Sequence, residues 1–222
     1  MLEPSPPASA KNGFTGSALA CRRGERLVFE GLAFSVPPGG VLVLTGANGS
    51  GKSSLLRVMT GLTPAEAGRL AWDGLAISDD PAAHRARLHF IGHAEALKPV
   101  LTAAENLVFW AGMRGGTDGA AALDRFRLGA LAATPCRLLS AGQRRRLALA
   151  RLVASHAPLW LLDEPLTGLD DDSVADLHEV IAAHRDAGGR IVLSTHAPLA
   201  LDGAVTLALG DFAPRWPFAV PP

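Results

Sequence analysis

The segment Gly46-Ala47-Asn48-Gly49-Ser50-Gly51-Lys52-Ser53 has the form G-x-x-x-x-G-K-S, and it constrains the fold of this chain more than any other feature. Such a loop works between a buried strand and the start of a helix. Its backbone N–H groups curl inward around an anion while the helix points its positive end at the same place. The flanks suit this geometry: Val41 to Leu44 is an apolar run of strand length, and Ser54 to Met59 follows with helical spacing and stops at Gly61. The motif therefore predicts a nucleoside triphosphate site built from Gly46 to Ser54. Lys52 would reach the β- and γ-phosphates, and the Ser53 hydroxyl would be a Mg²⁺ ligand.

The 222 residues suit one α/β domain with a core large enough to need no staples. Lys and Arg total 21, as do Asp and Glu, so the chain has no general electrostatic hold on nucleic acid or anionic lipid. Two cysteines, Cys21 and Cys136, form neither a metal spacing nor a disulfide framework, which points to a reducing compartment. No apolar stretch approaches the ~20 residues of a membrane span, and the N-terminus lacks the order of a signal peptide. Membrane association is expected only through a partner.

Residues 1–16, small, polar and proline-containing, are expected to be a disordered leader, and residues 211–222 a proline-rich surface tail. Residues 17–210 form the domain. Short apolar runs recur at Leu27 to Val36, Val41 to Thr45, Arg69 to Trp72, Leu88 to Gly92, Leu159 to Asp163, Ile191 to Thr195 and Val205 to Leu209. Helical patterns separate several of them, so a mostly parallel sheet with flanking helices is expected. Asp170 to Ala187 reads as a helix with acidic residues at its start and Gly188-Gly189 at its end. The stretch 95–150 is mostly helical in pattern and is expected to be a helical subdomain inserted between strands.

Two further segments carry chemistry. Leu139-Ser140-Ala141-Gly142-Gln143 opens a helix, which places a serine hydroxyl and a glycine N–H at an anion-favouring N-terminus. Leu159-Trp160-Leu161-Leu162-Asp163-Glu164 is an apolar strand ending in two carboxylates, an order that puts one acid on Mg²⁺ and the next beside the γ-phosphate as a candidate general base. With the strand-end histidine of Ser194-Thr195-His196, this succession resembles the nucleotide-binding subunit of ABC transporters over residues ~19 to ~210. The resemblance implies an ABC-type P-loop fold with an N-terminal antiparallel β region. It makes Asp163 the Mg²⁺-holding acid, Glu164 the group that polarises the attacking water, and His196 the histidine that contacts the γ-phosphate. Leu169-Asp170 would be the loop that links two active sites across a homodimer. Leu139 to Gln143 would contact ATP on the other protomer.

The chain departs from the family pattern twice. The family stacks adenine on an aromatic ring, yet there is no tyrosine here and the segment reads Cys21-Arg22-Arg23-Gly24-Glu25-Arg26, so Arg23 is the candidate replacement. The glutamine expected after the Leu88 strand is also missing; the chain reads Phe90-Ile91-Gly92-His93-Ala94-Glu95, with His93 in its place. That string, the following Leu101-Thr102-Ala103-Ala104-Glu105-Asn106-Leu107 and the Ser-Thr-His-Ala-Pro-Leu end are similar to the ATP-binding subunits of cytochrome c maturation systems. The similarity implies an integral-membrane permease subunit, other haem-handling membrane proteins, and a place on the cytoplasmic side of the bacterial inner membrane. Coupling would be to haem export or to release of a haem-loaded chaperone. Another single-cassette transporter is the alternative. A non-transport ABC ATPase of chromosome type needs long coiled coils that the interval from Ser53 to Ser140 is too short to hold.

Blander readings fit the remaining features. His89 and His93 lack further ligands for a metal. Arg144-Arg145-Arg146 is expected to be a solvated or interprotomer face rather than a nucleic-acid patch. Phe109 and Trp110 are expected in the core of the insert, and Trp160 as buried packing. Glu95, Leu97 and Val100 lie where a membrane partner is expected to dock.

Overall fold

A computed structural model describes residues 13–116, 119–196 and 201–214. Two sheets divide the strands. The first is antiparallel, in the order β2 (Arg26–Val36), β1 (Phe14–Arg23), β4 (Ala67–Trp72), β5 (Leu75–Ala76). The second has the order β6 (Leu88–Ile91), β7 (Leu159–Asp163), β8 (Arg190–Ser194), β3 (Val41–Thr45), β9 (Val205–Ala208), and all of its pairings are parallel. Runs Leu27 to Val36 and Arg69 to Trp72 thus leave the parallel sheet for the antiparallel one.

The alternation of side chains along the parallel strands makes two cores. Val41, Val43, Trp160, Leu162, Ile191 and Leu193 face one way, toward α3 (Ala103–Gly112), α4 (Gly119–Arg125), α5 (Ala141–Ala154) and α6 (Asp171–Asp186). Leu42, Leu44, Leu159, Leu161 and Val192 face the other way, toward α1 (Lys52–Met59) and the antiparallel sheet. A short α2 (Pro81–Ala86) precedes β6. This is the doubly covered sheet that apolar runs without polar alternation require.

The expected leader needs correction at its end. Phe14, Thr15 and Gly16 belong to β1, pair with β2 and β4, and bury Phe14 completely against Phe34 and Trp72. One aromatic ring outweighs the small, polar residues around it. Residues 1–12 and 215–222 lie outside the described residues. Asp211 and Phe212 close a 3₁₀ turn, Leu209–Phe212, that packs beside β2. In the insert, α3 and α4 pack on α5, and a bridge between Thr102 and Pro135 interrupts the helical pattern. Phe109 is 42% exposed and Trp110 only half buried, so neither belongs to the core. No helix among the described residues is long and apolar enough to cross a membrane.

Candidate active site

Three neighbouring strands deliver the site from their C-terminal ends: β3 runs into the loop, β7 ends at Asp163, and β8 ends at Ser194. In open parallel sheets this edge is where ligands bind. The cleft has a volume of about 480 Å³ and is lined by Arg23, Arg26, Val28, Asn48, Gly49, Gly51, Lys52, Ser53, Ser54, Glu164 and His196.

Gly46, Gly49 and Gly51 all adopt positive φ, at 138°, 76° and 107°. A Cβ on Gly51 would lie 2.5 Å from the Val28 side chain, and one on Gly46 2.8 Å from Ser50 Oγ. Only glycine fits both demands. Lys52 is buried at the helix start and donates from Nζ to the carbonyls of Gly46 (2.7 Å) and Ala47 (3.2 Å), which holds its charge inside the loop. Ala47 and Asn48 are exposed on the rim, and Ser50 Oγ is buried without a partner. An orphaned hydroxyl and a fixed cation in one cradle suit a phosphate group.

Asp163 is buried at the end of β7, and Ser194 on the adjacent strand donates its hydroxyl to Asp163 Oδ1 at 2.6 Å. The Glu164 N–H donates to the same Ser194 oxygen at 2.9 Å. Glu164 has φ 48°, the left-handed region that costs a non-glycine residue about 1–3 kcal/mol. Its carboxylate meets His196 Nε2 at 2.8 Å. The second acid and the strand-end histidine are therefore brought together, beside the loop. For Mg²⁺ the fit is partial: Ser53 and Asp163 offer hard oxygen ligands, but no cluster of three or more His, Cys, Asp or Glu side chains exists among the described residues. Such a set suits an ion that takes most of its ligands from phosphate and water.

Other expected residues lie elsewhere. His93 is exposed, lies two residues past the end of β6 at Ile91, and does not line the cleft. Leu139 is buried and Ser140 exposed at the start of α5, and neither lines the cleft of the same chain. Ser140 accepts from the Gln143 N–H (3.2 Å) and donates its own N–H to Gln143 Oε1 (2.8 Å), a reciprocal capping box. Ala141 is exposed. Gly142 faces Gly168, whose carbonyl would be 3.1 Å from an added Cβ. Leu169 is half buried, and Asp170 caps α6 by accepting from the Ser173 N–H at 2.9 Å. His89 is buried against the Ser155 carbonyl, 2.9 Å from Nε2, and is no metal ligand partner of His93.

Three residues escaped the sequence reading. Arg26 faces Arg23 across the two-residue turn Gly24-Glu25 and lines the same cleft; the strand register was its only signal. Ser194 is fully buried between the Asp163 carboxylate and the Glu164 backbone N–H, and its position one before Thr195-His196 gives no hint of that. Arg145, expected on a solvated or interprotomer face, is only 6% exposed within the chain itself. Its neighbours are also committed to carbonyls, Arg144 to Leu139 and Arg146 to Phe126, because α5 is covered on nearly every side.

A family model described as ABC transporter matches residues 29–167. The chain is 55% identical to the cytochrome c biogenesis ATP-binding export protein CcmA of Paramagnetospirillum magneticum, over 90% of this chain and 95% of that protein. It is 54% identical to the protein of the same description from Rhodospirillum rubrum, over 90% and 87% respectively. Among solved structures, an ATP-binding subunit of an ABC transporter superposes with a TM-score of 0.77 at 26% identity, covering 83% of this chain and 80% of the other. An ATP-binding cassette solved as a dimer with ADP and Pi, after hydrolysis, superposes at 0.74 with 22% identity, over 83% and 88%. The second likeness bears on fold alone.

Proposed function

The chain belongs to the ABC transporter family as an ATP-binding, ATP-hydrolysing subunit, and on that premise we propose that it powers a step of c-type cytochrome biogenesis. It would work as a homodimer beneath an integral-membrane permease subunit and other haem-handling membrane proteins, on the cytoplasmic side of the inner membrane. The cargo step is haem export or release of a haem-loaded chaperone. The single observation that carries the catalytic reading is the Glu164–His196 contact at 2.8 Å on the rim of the Lys52 loop. The 55% identity to a cytochrome c biogenesis protein supports the pathway.

In this reading Lys52 and the loop N–H groups bind the β- and γ-phosphates, and Arg23 with Arg26 receives the base. Glu164 takes a proton from water as the water oxygen bonds to the γ-phosphorus and the β–γ bridging oxygen leaves with ADP. His196, held by Glu164, contacts the γ-phosphate. Ser194 fixes the Asp163 carboxylate and the Glu164 backbone from β8. Mg²⁺, held by Ser53 and Asp163, supplies neutralisation of the phosphate charge. Ser140 to Gln143 of one protomer completes the site of the other, and Leu169-Asp170 runs between the two. His93 has no assigned contact in this geometry. A groove of about 290 Å³ lined by Glu95, Ala96, Leu97, Pro99, Cys136, Arg137 and Arg144 receives the permease.

The test is a bacterial strain whose own copy of this gene carries Glu164→Gln. Haem-stained gels should lack mature c-type cytochromes while haem synthesis continues. Normal c-type cytochromes in that strain would remove the pathway and leave the family.

A further inference from the structure

We propose that Arg145 is a positioning residue for Glu164, holding the backbone of the general base from helix α5 and tying it to the segment 92–95. The inference rests on the reading of Glu164 given above. Arg145 Nη2 donates to the carbonyls of Asp163 and Glu164, both at 2.8 Å, and Nη1 donates to the Gly92 carbonyl at 3.0 Å. One buried guanidinium thus joins the end of β7 to the end of β6.

Glu164 occupies a left-handed backbone conformation that its side chain disfavours, so the neighbouring structure must hold it there. Two side chains do so from opposite sides: Ser194 accepts its N–H, and Arg145 donates to its carbonyl. The planar fork of arginine can reach several carbonyls at once, whereas a lysine ammonium on a flexible stem would satisfy them one at a time. The charge has a second use. Burial lowers the Arg145 pKa, and the carboxylates of Glu95, Asp163 and Glu164 offset part of that cost.

The same helix holds the other end of the segment. Arg151, two turns along α5, donates to the Glu95 carbonyl at 3.2 Å and lies 3.8 Å over the Trp110 ring. Gly92 and Glu95 are both fastened to α5, and Glu95 lines the groove assigned to the permease. Any shift of that segment is therefore transmitted through Arg145 to the backbone of Glu164. Arg145 itself does not line the nucleotide cleft, so its loss should alter turnover rather than binding.

The experiment compares Arg145→Lys and Arg145→Ala in the full-length chain, by steady-state hydrolysis of MgATP and by titration with a fluorescent ATP analogue. A displaced base predicts a kcat lower by about a hundredfold. KM and analogue affinity should stay within about threefold of the unmodified chain, the pattern of a lost transition-state contact. Guanidinium ion at a sub-denaturing concentration should raise the rate of Arg145→Ala and leave that of the unmodified chain alone. In a Glu164→Gln background, Arg145→Lys should cause no further loss, because the two changes disable one group. Should Arg145→Ala fail to fold, Arg145→Lys and this cycle decide. Unchanged kcat in folded Arg145→Lys, or an equal loss of nucleotide affinity, would overturn the inference alone. Absence of hydrolysis by the unmodified chain would overturn the reading of the cleft and this inference with it.

Discussion

Lys52 is the one ammonium group in the lining of the cleft, and it is buried at the start of α1. Lys52→Ala should weaken ATP binding by roughly 1.5–3 kcal/mol, the scale of a hydrogen bond to a charged group. Equilibrium titration with a labelled nucleotide measures this, and unchanged affinity would contradict the phosphate assignment. At the base, Arg23 and Arg26 flank one turn and line one wall. Stacking a purine on a guanidinium at an exposed site contributes ~0.5–1 kcal/mol. Arg23→Ala alone should therefore raise the KM for ATP only slightly, Arg26 sharing the role, and the double substitution should raise it by more than the two singles together. A double variant with native KM would take the base away from this wall.

At the scale of elements, the buried histidines make stability depend on pH. His89 on β6 is driven down to about 4 by burial, with Arg114, Arg151 and His184 adding to the shift against the bond to the Ser155 carbonyl. His184, stacked on Trp160 at 3.7 Å, is driven to about 4 chiefly by burial, and burial lowers His84 as well. The unfolded chain protonates these rings near pH 6.5 while the folded chain resists until lower pH, so the unfolded state binds more protons between these limits. Stability is full above pH 6.5 and declines as pH falls toward 4. The unfolding free energy from urea titrations should drop between pH 7.5 and 5, by on the order of 2 kcal/mol for His89. His89→Gln should flatten that dependence, and an unchanged slope would remove His89 as its source. The chain just past the groove, where Val100 follows the lining residue Pro99, gives a second element-scale test. Leu97 packs partly on the core, so Leu97→Asp would mix folding with docking, whereas Val100 is 79% exposed. Val100→Asp should release the chain from membranes containing its permease without changing nucleotide affinity, as fractionation would show. Retention at the membrane would place the contact elsewhere.

Which elements could be read from the chain depends on how local their causes are. The strand–loop–helix around Gly46 and the helix capped by Asp170 announce themselves in adjacent residues, and both are present. Strand β1 does not, because its apolar residues are scattered among bulges and its partners lie in β2 and β4. Arg145 was illegible for a similar reason: an arginine triplet reads as surface until β6 and β7 are known to end beside it.

For the whole molecule, none of Ser140 to Gln143 lines the cleft of its own chain, so each site is incomplete in this reading unless two copies meet. ATP should therefore drive association, and removal of the base should make the dimer persist, visible as a doubled mass by light scattering with ATP. The rate of MgATP hydrolysis by the chain with its membrane partner, unmodified and as Glu164→Gln, tests the central claim most directly. The account predicts a loss of about a hundredfold or more with nucleotide binding retained, the usual scale for a positioned base. Hydrolysis at the unmodified rate in Glu164→Gln would contradict it.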